Sequence, residues 1–401
     1  MMKKHLFIIF LFIGFLINAQ TRISGKVLDS NNLPLEGAAV YLNNTSIGTT
    51  TNELGEFELY IKDGVYTLIV SYLGYETIQY QIDTKKPIRK FTFKTKETGD
   101  FLDEITLNNK KHSAEDRAYF LSRFRNSFIG KTLFSKNCKI ANPDVIQFDF
   151  NPLSKVLEAY VSKPIEIINK DLGFKIYYDL VHYELSVTKI TYLGYSRYEQ
   201  IKGGKSKQRK WKKNRLRAYN GSKMHFIRAA RKGNLTKEGF VMSQYKRIPN
   251  PDRPSDSELK ETRKYLRTLN IDPKGTKTFR LSSKKDSVME ILKKSRLKKF
   301  LYIMIKDSLI ENDFLVRSND QVIMKFTNYL NINYMNEKEE YNFRPGPNRL
   351  DYQSSKLVLF TDSVLLDKSG IFTEPLDVFM EGYWGYEKIS DALPLDYITT
   401  E

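Results

Sequence analysis

Residues 56–72 read Glu-Phe-Glu-Leu-Tyr-Ile-Lys-Asp-Gly-Val-Tyr-Thr-Leu-Ile-Val-Ser-Tyr and set the architecture of the N-terminal part of the chain. Phe57, Leu59 and Ile61 alternate with their neighbours, a pattern that predicts a strand with one buried face. The dipeptide Asp63-Gly64 is typical of a tight hairpin turn. Tyr66, Leu68, Val70 and Tyr72 then repeat the alternation. The segment therefore predicts two strands that are joined by a hairpin turn.

The same pattern extends on both sides of this segment, from Arg22 to Leu107. Short alternating runs are separated by clusters of turn residues such as Asp29-Ser30-Asn31-Asn32, and no helical period occurs anywhere in this region. Several short strands at regular spacing are typical of a small sandwich of two sheets. We therefore expect residues 20–107 to form an all-β domain.

Four blocks of this domain resemble the carboxypeptidase regulatory-like domain family. The blocks are Ser24-Gly25-Lys26-Val27 with Asp29, Leu33-Pro34-Leu35-Glu36-Gly37-Ala38-Ala39-Val40, Gly48-Thr49-Thr50-Thr51 with Gly55-Glu56-Phe57, and Tyr66-Thr67-Leu68-Ile69-Val70-Ser71-Tyr72-Leu73-Gly74-Tyr75. The resemblance implies a transthyretin-like β-sandwich without catalytic residues, an accessory domain of bacterial envelope proteins. It often precedes the plug of TonB-dependent outer-membrane transporters. The rest of the chain resembles the uncharacterised region that accompanies such domains, which implies no activity.

The first residues have the pattern of a secretory signal peptide at residues 1–19. A short basic start with Lys3 and Lys4 precedes the apolar run Leu6 to Ile17, and Ala19 offers a small residue for cleavage. The run is shorter than the roughly 20 apolar residues that span a bilayer, so an uncleaved anchor is the less favoured alternative. No cysteine stands directly after the cleavage site, so no thiol is present there for attachment of a lipid. The sequence predicts an exported protein, periplasmic or associated with the outer membrane, that is not a lipoprotein and has no transmembrane helix after cleavage.

The remainder of the chain mixes helical and strand patterns. Residues 108–113 are a polar linker, and an amphipathic helix is predicted directly after it. Ser255 and Glu258 form a capping-box pattern that opens a later helix. Alternating stretches at 300–310, 321–334 and 356–366 predict strands. We therefore expect residues 114–401 to form an α+β domain with an extended antiparallel sheet.

The positive charge of the chain is concentrated in two segments. The 401 residues contain 65 Lys+Arg and 47 Asp+Glu, a formal net charge of +18, and residues 202–232 contribute thirteen basic and no acidic side chains. A second basic segment covers residues 284–299. A run of this kind forms either a solvated surface or a contact for anionic partners.

The residues predicted to meet an anionic partner are Lys205, Lys207, Arg209, Lys210, Trp211, Lys212, Lys213, Arg215 and Arg217. The expected partner is an anionic envelope component, either a lipid headgroup or an acidic glycan, or another envelope protein. Trp211 is expected to lie at the interface while the cations meet phosphates. Export disfavours nucleic acid as a partner.

The common catalytic and metal-binding patterns are not met by this sequence. His112 and Glu115 have the spacing of two zinc ligands with His225 downstream, but His112 lies beside lysines that disfavour a metal. Cys138 is the single cysteine and is interpreted as a small core residue. A phosphate-binding loop would need glycine where Glu199 stands. The sequence therefore predicts no catalytic residue, no metal and no cofactor.

Two further features leave alternatives open. His182 is in phase with an apolar strand face, where a satisfied core or interface histidine is the expected role. Tyr383, Trp384 and Tyr386 combine flat rings with nearby carboxylates, which suits either a glycan contact or core packing. The favoured function is a non-enzymatic exported envelope protein that binds or scaffolds through its β-sandwich and its basic segment. The alternative is a hydrolase, a peptidase or glycosidase, whose active site the sequence does not locate.

Overall fold

The computed structural model describes residues 20–98, 112–268, 283–344 and 351–399. The signal peptide predicted at 1–19 lies outside these ranges, and so does most of the linker predicted at 108–113. The described residues form two compact units. Unit 1 contains the described parts of Met1–Ser222, Glu340–Arg349 and Tyr386–Glu401, and unit 2 contains those of Lys223–Glu339 and Leu350–Gly385.

The elements of the chain are mainly strands. The helices are α1 (Ala114–Phe128), α2 (Lys205–Tyr219), α3 (Lys223–Lys232), α4 (Asp256–Thr268), α5 (Ser283–Lys294) and α6 (Tyr383–Tyr386). The strands before α2 are β1 (Thr21–Leu28), β2 (Ala39–Leu42), β3 (Gly48–Thr50), β4 (Glu56–Ile61), β5 (Val65–Ser71), β6 (Ile78–Asp83), β7 (Phe91–Lys94), β8 (Cys138–Ile140), β9 (Ile146–Asn151), β10 (Val156–Val161), β11 (Ile165–Asn169), β12 (Phe174–Leu185) and β13 (Ile190–Gln200). The later strands are β14 (Phe240–Pro249), β15 (Phe300–Leu309), β16 (Leu315–Ser318), β17 (Gln321–Met324), β18 (Tyr329–Lys338), β19 (Tyr352–Leu359), β20 (Val364–Leu366) and β21 (Val378–Gly382).

The N-terminal domain consists of two small sheets, with strand orders β4-β1-β7 and β3-β2-β5-β6. Phe57, Leu59 and Ile61 of β4 and Leu68 and Val70 of β5 are buried in one shared core, as their alternation predicts. The predicted hairpin is wrong, however. Strand β4 pairs with β1, whereas β5 pairs with β2 and β6. The Asp63-Gly64 turn therefore carries the chain from one sheet to the other, because that arrangement turns both apolar faces toward the same core.

The rest of unit 1 is built on a six-stranded sheet of order β8-β11-β12-β10-β9, with β13 paired to β12. Helix α1 places Phe120, Phe124 and Phe128 in the buried core, since residues four apart lie on one helix face. The ring of Phe124 lies 4.7 Å from that of Tyr183. Full burial of a side chain of this size contributes about 1.5–3 kcal/mol.

Unit 2 contains a five-stranded sheet of order β15-β14-β18-β19-β21 and a three-stranded sheet of order β16-β17-β20. Phe226 of α3 and Phe240 of β14 lie in a core that contains buried residues of both sheets. Helix α4 begins where the capping-box pattern predicts it. The Glu258 N–H donates to Ser255 Oγ at 3.2 Å, and the Ser255 N–H donates to Glu258 Oε2 at 2.7 Å.

The observed division of the chain differs from the predicted one. Residues 114–401, expected as one α+β domain, contribute to both units, and the chain crosses between them after Ser222. The N-terminal sandwich belongs to unit 1 together with the sheet that follows it. The described chain is mostly β, with sheets in the C-terminal part as predicted. Within the described ranges, no helix has both the length and the apolar character needed to cross a membrane.

Candidate functional site

Most of the basic segment in unit 1 is a helix. Helix α2 runs over Lys205–Tyr219 and consists largely of Lys, Arg, Gln, Leu and Ala, which are good helix formers. Its N-cap is Gly204, which supplies no side-chain hydrogen bond, and its first turn contains no acidic residue. The helix is therefore weakly stabilised at its start, so its packing against the rest of unit 1 has to hold it.

One face of α2 is fixed to the loop at residues 170–173. Trp211 Nε1 donates to the carbonyl of Lys170 at 2.8 Å. Asn214 Nδ2 donates to the carbonyl of Asp171 at 2.8 Å, and Arg215 Nε donates to that of Leu172 at 2.7 Å. Each bond satisfies a loop carbonyl that has no partner in a sheet ladder. This face of α2 is structural.

Gly173 makes the close approach of Trp211 possible. Its backbone has a φ of +72°, and a Cβ at this position would lie 2.3 Å from Trp211 Cδ2. Only glycine combines this conformation with this contact at low cost. Beyond it, the Arg215 guanidinium stacks over the Phe174 ring at 4.0 Å from the centroid, and burial lowers the pKa of Arg215.

The opposite face of α2 carries four exposed cations, which we call the α2 cationic face: Lys205, Arg209, Lys212 and Lys213. They follow the spacing i, i+4, i+7 and i+8, which places them on one side of a helix. Leu216 continues the same side and is 41% exposed. Across the described ranges, none of the four cations forms an ion pair with a carboxylate. Their charge is therefore directed to solvent.

The α2 cationic face costs the helix stability. Lys205 and Lys207 lie in the first turn, where the helix dipole favours negative charge. Lys205 with Arg209 and Arg209 with Lys213 are like-charge pairs four residues apart, which destabilise helices by a few tenths of a kcal/mol each. The stability of α2 therefore does not explain why these charges are present. A bound anion would reduce the repulsion between them.

The nine predicted anion-contact residues thus divide into two groups. The α2 cationic face and Lys207 are exposed as the prediction requires. Lys210 pairs with Asp171 at 2.9 Å and Arg217 with Glu340 at 3.5 Å, while Trp211 and Arg215 hold the 170–173 loop. Trp211 is only 4% exposed, so its predicted position at an interface is wrong. Its indole is the group that anchors the helix.

The aromatic residues predicted to contact a glycan are mostly buried. Tyr383 and Trp384 belong to the interior, and the Trp384 ring lies 5.3 Å from that of Phe226 in the core of unit 2. Tyr386 belongs to unit 1 and donates its hydroxyl to the carbonyl of Lys131 at 2.8 Å. Burial is the main cause that raises the pKa of Tyr386. Tyr383 and Trp384 pack in the core, so the prediction that they contact a glycan is wrong.

The histidines considered for hydrolysis lie in three separate settings. His225 is buried between the rings of Phe240 and Tyr334, and its Nε2 lies 3.1 Å from Glu238 Oε2. Burial is the main cause that lowers the pKa of His225. The Nε2 atom of His112 lies 3.1 Å from the carbonyl of Phe148. His182 is exposed on β12 beside a bulge, so a core role is wrong, whereas the alternative role at an interface stays a prediction.

Neither a metal site nor a reactive thiol is found among the described residues. In the part of the chain that the structure describes, no three His, Cys, Asp or Glu side chains are grouped so that they could hold a metal ion. Cys138 is buried, which confirms its prediction as a core residue. Burial raises the pKa of its thiol to about 12, so the thiolate is scarce at neutral pH.

The contacts between the N-terminal sandwich and the rest of unit 1 could not be predicted from the sequence. Tyr41 donates its hydroxyl to Asp179 Oδ2 at 2.5 Å, and the Asn44 N–H donates to the carbonyl of Ser196 at 2.7 Å. These contacts fix the sandwich to strands β12 and β13 within unit 1. Burial raises the pKa of Asp179. A groove of about 500 Å³ opens beside this contact and includes Tyr72 and Arg197. Tyr41 lies in an ordinary strand pattern, so its hydrogen bond to Asp179 could not be predicted from the sequence.

Unit 1 thus contains a β-sandwich that is fixed to a second sheet, and a cationic helix lies beside that sheet. Residues 23–107 match the family model of the CarboxypepD_reg-like domain. This part of the chain is therefore a carboxypeptidase regulatory-like domain, as its four sequence blocks predict.

Individual proteins are similar to this chain either over a short stretch or at low sequence identity. The chain is 32% identical over 72 residues to TonB-dependent receptor P39 of Formosa agariphila. The match covers 18% of this chain and 7% of the receptor, so the chain spans a small part of that relative's length. A crystal structure of a protein of unknown function from Bacteroides fragilis is 8% identical, with a TM-score of 0.17, over 86% of this chain and 92% of that one. A 9R-lipoxygenase from Cyanothece is 11% identical, with a TM-score of 0.15, over 53% and 48% of the two chains.

Proposed function

We propose that this protein is an exported, non-enzymatic envelope protein that binds an anionic envelope component through the α2 cationic face. The observation that carries the proposal is the division of α2 into a structural face and a free face. Four cations remain exposed on one side although they destabilise the helix that presents them. A cost of this kind is expected where the charges serve binding.

The envelope assignment is supported by two observations. The first nineteen residues have the pattern of a signal peptide. The regulatory-like domain is shared with a protein that is named as a TonB-dependent receptor. We propose that the mature chain acts in the periplasm or at the outer membrane and is not a lipoprotein. The β-sandwich, fixed to β12 and β13 by Tyr41 and Asn44, scaffolds the sheet beside which α2 lies.

The chemistry of the α2 cationic face fits phosphate-bearing headgroups or the carboxylates of an acidic glycan. Each Lys or Arg near an anionic membrane surface contributes about 1 kcal/mol, and the attraction decays within a Debye length. Leu216 adds an apolar contact on the same side. Binding should therefore be moderate, independent of stereochemical detail and strongly weakened by salt.

The experiment compares the mature chain with two charge-matched variants. The first variant carries Lys205→Gln, Arg209→Gln, Lys212→Gln and Lys213→Gln. The control variant carries Lys62→Gln, Lys85→Gln, Lys86→Gln and Arg89→Gln, which remove four exposed cations from the sandwich. Both lose the same net charge, so only the position of the charge differs. Co-sedimentation is measured with phosphatidylglycerol vesicles, with phosphatidylcholine vesicles and with a polyuronate gel.

We expect the first variant to bind at least tenfold more weakly to the phosphatidylglycerol vesicles or the polyuronate, which corresponds to about 1.4 kcal/mol or more. The control variant should bind like the parent. The probe to which the parent chain binds, phosphatidylglycerol or polyuronate, shows whether the anion is a lipid headgroup or an acidic glycan. Equal losses in both variants, or binding by the parent that does not fall with salt, would show that the α2 cationic face is not the site.

A further inference from the structure

Unit 1 contains a groove of about 500 Å³ that the proposed function does not use. It lies between residues 71–77 of the sandwich, the loop at residues 161–164 that joins β10 to β11, and residues 179–181 of β12. We call it the β12 groove. All of these segments belong to unit 1. The volume of the groove is within the range of about 300–1,000 Å³ that is usual for small-molecule sites.

A gap in strand pairing opens the sheet at this groove. One edge of β12 pairs with β11 as far as Tyr178 and with β10 from Glu184 onward. Between these two residues, no described strand pairs with that edge. On the other edge, the register with β13 shifts between Leu180 and His182, which leaves Val181 without an opposite residue and 55% exposed. The groove is therefore formed by an irregularity of the sheet itself.

Asp179 lies at the gap, and one of its carboxylate oxygens accepts no hydrogen bond from the described residues. Its Oδ2 atom accepts the hydroxyl of Tyr41 at 2.5 Å, whereas no described donor contacts its Oδ1 atom. Burial raises the pKa of this carboxyl group. A carboxylate that loses water without gaining a donor costs free energy, which a donor on a bound ligand would recover. The groove therefore favours a ligand that donates a hydrogen bond to Asp179.

Arg197 of β13 lies on the same face of the sheet as Asp179 and is held in place. Tyr195 is directly opposite Asp179 and Arg197 is directly opposite Tyr177, so their side chains share one face. The Arg197 guanidinium lies 3.7 Å from the centroid of the Tyr177 ring and pairs with Glu199. Its charge lowers the pKa of Asp179 against the effect of burial. The floor of the groove thus presents a fixed acceptor near a fixed cation.

The charges of the groove favour a neutral ligand. Its charged lining residues are Lys163, Asp179 and Arg197. Because Arg197 is compensated by Glu199, one negative and one positive charge remain. An anion at the free oxygen of Asp179 would be repelled by that carboxylate, and a cation there would be repelled by Lys163 and Arg197. A hydroxyl group can donate to Asp179 or accept from Lys163 at no such cost.

The wall that the sandwich contributes is aromatic. The half-buried rings of Tyr72 and Tyr75 have centroids 5.4 Å apart, and Leu73 between them is 59% exposed. The negative face of an aromatic ring attracts C–H groups, which carry a small positive charge. A sugar ring combines such C–H groups with hydroxyl groups, which are the two kinds of contact that this groove offers.

We propose that the β12 groove binds a neutral saccharide, whose hydroxyl groups form hydrogen bonds with Asp179 and Lys163 and whose ring packs against the tyrosines of the sandwich. The proposal is independent of the proposed function, because it involves neither a residue of α2 nor an anionic partner.

The first test measures binding of neutral oligosaccharides to the mature chain by isothermal titration calorimetry. The probes are cellohexaose, laminarihexaose, maltohexaose and mannohexaose. We expect at least one of them to bind with a Kd of about 1 mM or lower. Its Kd should change by less than about twofold between about 50 and 500 mM NaCl, because no charge of the ligand is screened. Absence of binding by all four probes, or binding that falls steeply with salt, would overturn the proposal.

The second test blocks the groove with a matched pair of variants. Val181→Arg replaces an exposed side chain of the groove by one that fills it and brings a guanidinium group to Asp179. Val187→Arg is the control, because Val187 is 79% exposed in the turn between β12 and β13 and does not line the groove. Val181→Arg should weaken oligosaccharide binding at least tenfold, and the control should bind like the parent. Equal binding by the two variants would show that the sugar binds elsewhere.

The third test removes the charged acceptor. Asp179→Asn keeps an oxygen for the hydroxyl of Tyr41 but loses the carboxylate, and it should weaken binding about tenfold, because hydrogen bonds to charged groups are the stronger ones. A folded Asp179→Asn chain that binds like the parent would contradict the assigned role of Asp179. If this variant loosens the sandwich, Val181→Arg still decides, since Val181 is exposed. These titrations use neither vesicles nor polyuronate, so failure here leaves the α2 cationic face to its own test.

Discussion

Helices α2 and α3 are consecutive basic helices that use their charge in opposite ways. In α2 the four residues of the cationic face are exposed and unpaired in the described ranges. In α3 the arginines are tied to the chain. Arg228 Nε donates to the carbonyl of Ser369 at 2.9 Å, and Arg231 donates to those of Leu366 at 2.5 Å and Asp320 at 2.7 Å. The same run of basic residues in the sequence is thus an exposed cationic surface in one helix and a set of structural donors in the other.

The difference follows from the apolar residues between the charges. Helix α3 buries Phe226, Ile227, Ala229 and Ala230, so its guanidinium groups are brought against strand ends where carbonyls need donors. Helix α2 buries only Trp211 and Ala218, and most of its circumference stays in solvent. The number of cations in a segment therefore says little about surface charge until the buried positions are known.

The largest expected contrast between the helices comes from truncating one apolar side chain in each. Phe226→Ala in α3 leaves a cavity in the core of unit 2 and should lower the free energy of unfolding by about 3–5 kcal/mol. Leu216→Ala in α2 removes a side chain that is 41% exposed and should change it by less than about 0.5 kcal/mol.

Hydrogen exchange of peptides from each unit measures both variants. Phe226→Ala should accelerate exchange in β14 and β18, which share its core. If Phe226→Ala leaves those peptides as protected as in the parent, α3 is not the core element that its burial indicates.

A smaller contrast is expected for one arginine from each helix. Arg231→Ala leaves the carbonyls of Leu366 and Asp320 without their donor and should destabilise unit 2 by about 1–3 kcal/mol. Arg209→Ala should leave unit 1 within about 0.5 kcal/mol of the parent. Urea unfolding is followed by circular dichroism for unit 2. For unit 1 it is followed by Trp211 fluorescence in a Trp384→Phe background, which leaves a single tryptophan.

The same two variants should reverse their order in vesicle binding, where Arg209→Ala weakens binding and Arg231→Ala does not. A stability cost at Arg209 as large as that at Arg231 would erase the distinction between the helices.

Much of the fold could be predicted from the sequence because burial alternates with period two. The strand positions of Phe57, Leu59 and Ile61 follow directly from that pattern, and the capping box at Ser255 marks the start of α4 correctly. The pairing of strands could not be predicted. Asp63-Gly64 favours a tight turn whether its strands share a sheet or face each other across a core, and only the tertiary contacts of β1 and β2 decide which.

The position of the candidate site in the chain could be predicted from the sequence, but the roles of its individual residues could not. The charge of residues 202–217 is visible in the composition, yet the roles of Trp211, Lys210 and Arg215 depend on loop 170–173, which is distant in sequence. Gly173 is the residue that makes room for Trp211, and an isolated glycine predicts no particular neighbour. The exposure of β15 could not be predicted either, because its apolar run is typical of a strand in the core.

The smallest expected effect has opposite signs in the two helices. Lys205→Glu places a negative charge in the first turn of α2 and replaces the repulsion with Arg209 by attraction, so it should stabilise unit 1 by about 0.3–1 kcal/mol. Lys232→Glu does the reverse in the last turn of α3, where a cation suits the helix dipole, and should destabilise unit 2 by a similar amount. Trp211 fluorescence in the Trp384→Phe background follows the first, and hydrogen exchange of α3 follows the second. Lys205→Glu should also weaken vesicle binding while it stabilises the fold. A variant that gained no stability and kept full binding would show that Lys205 is neither a cost to α2 nor a contact for its anion.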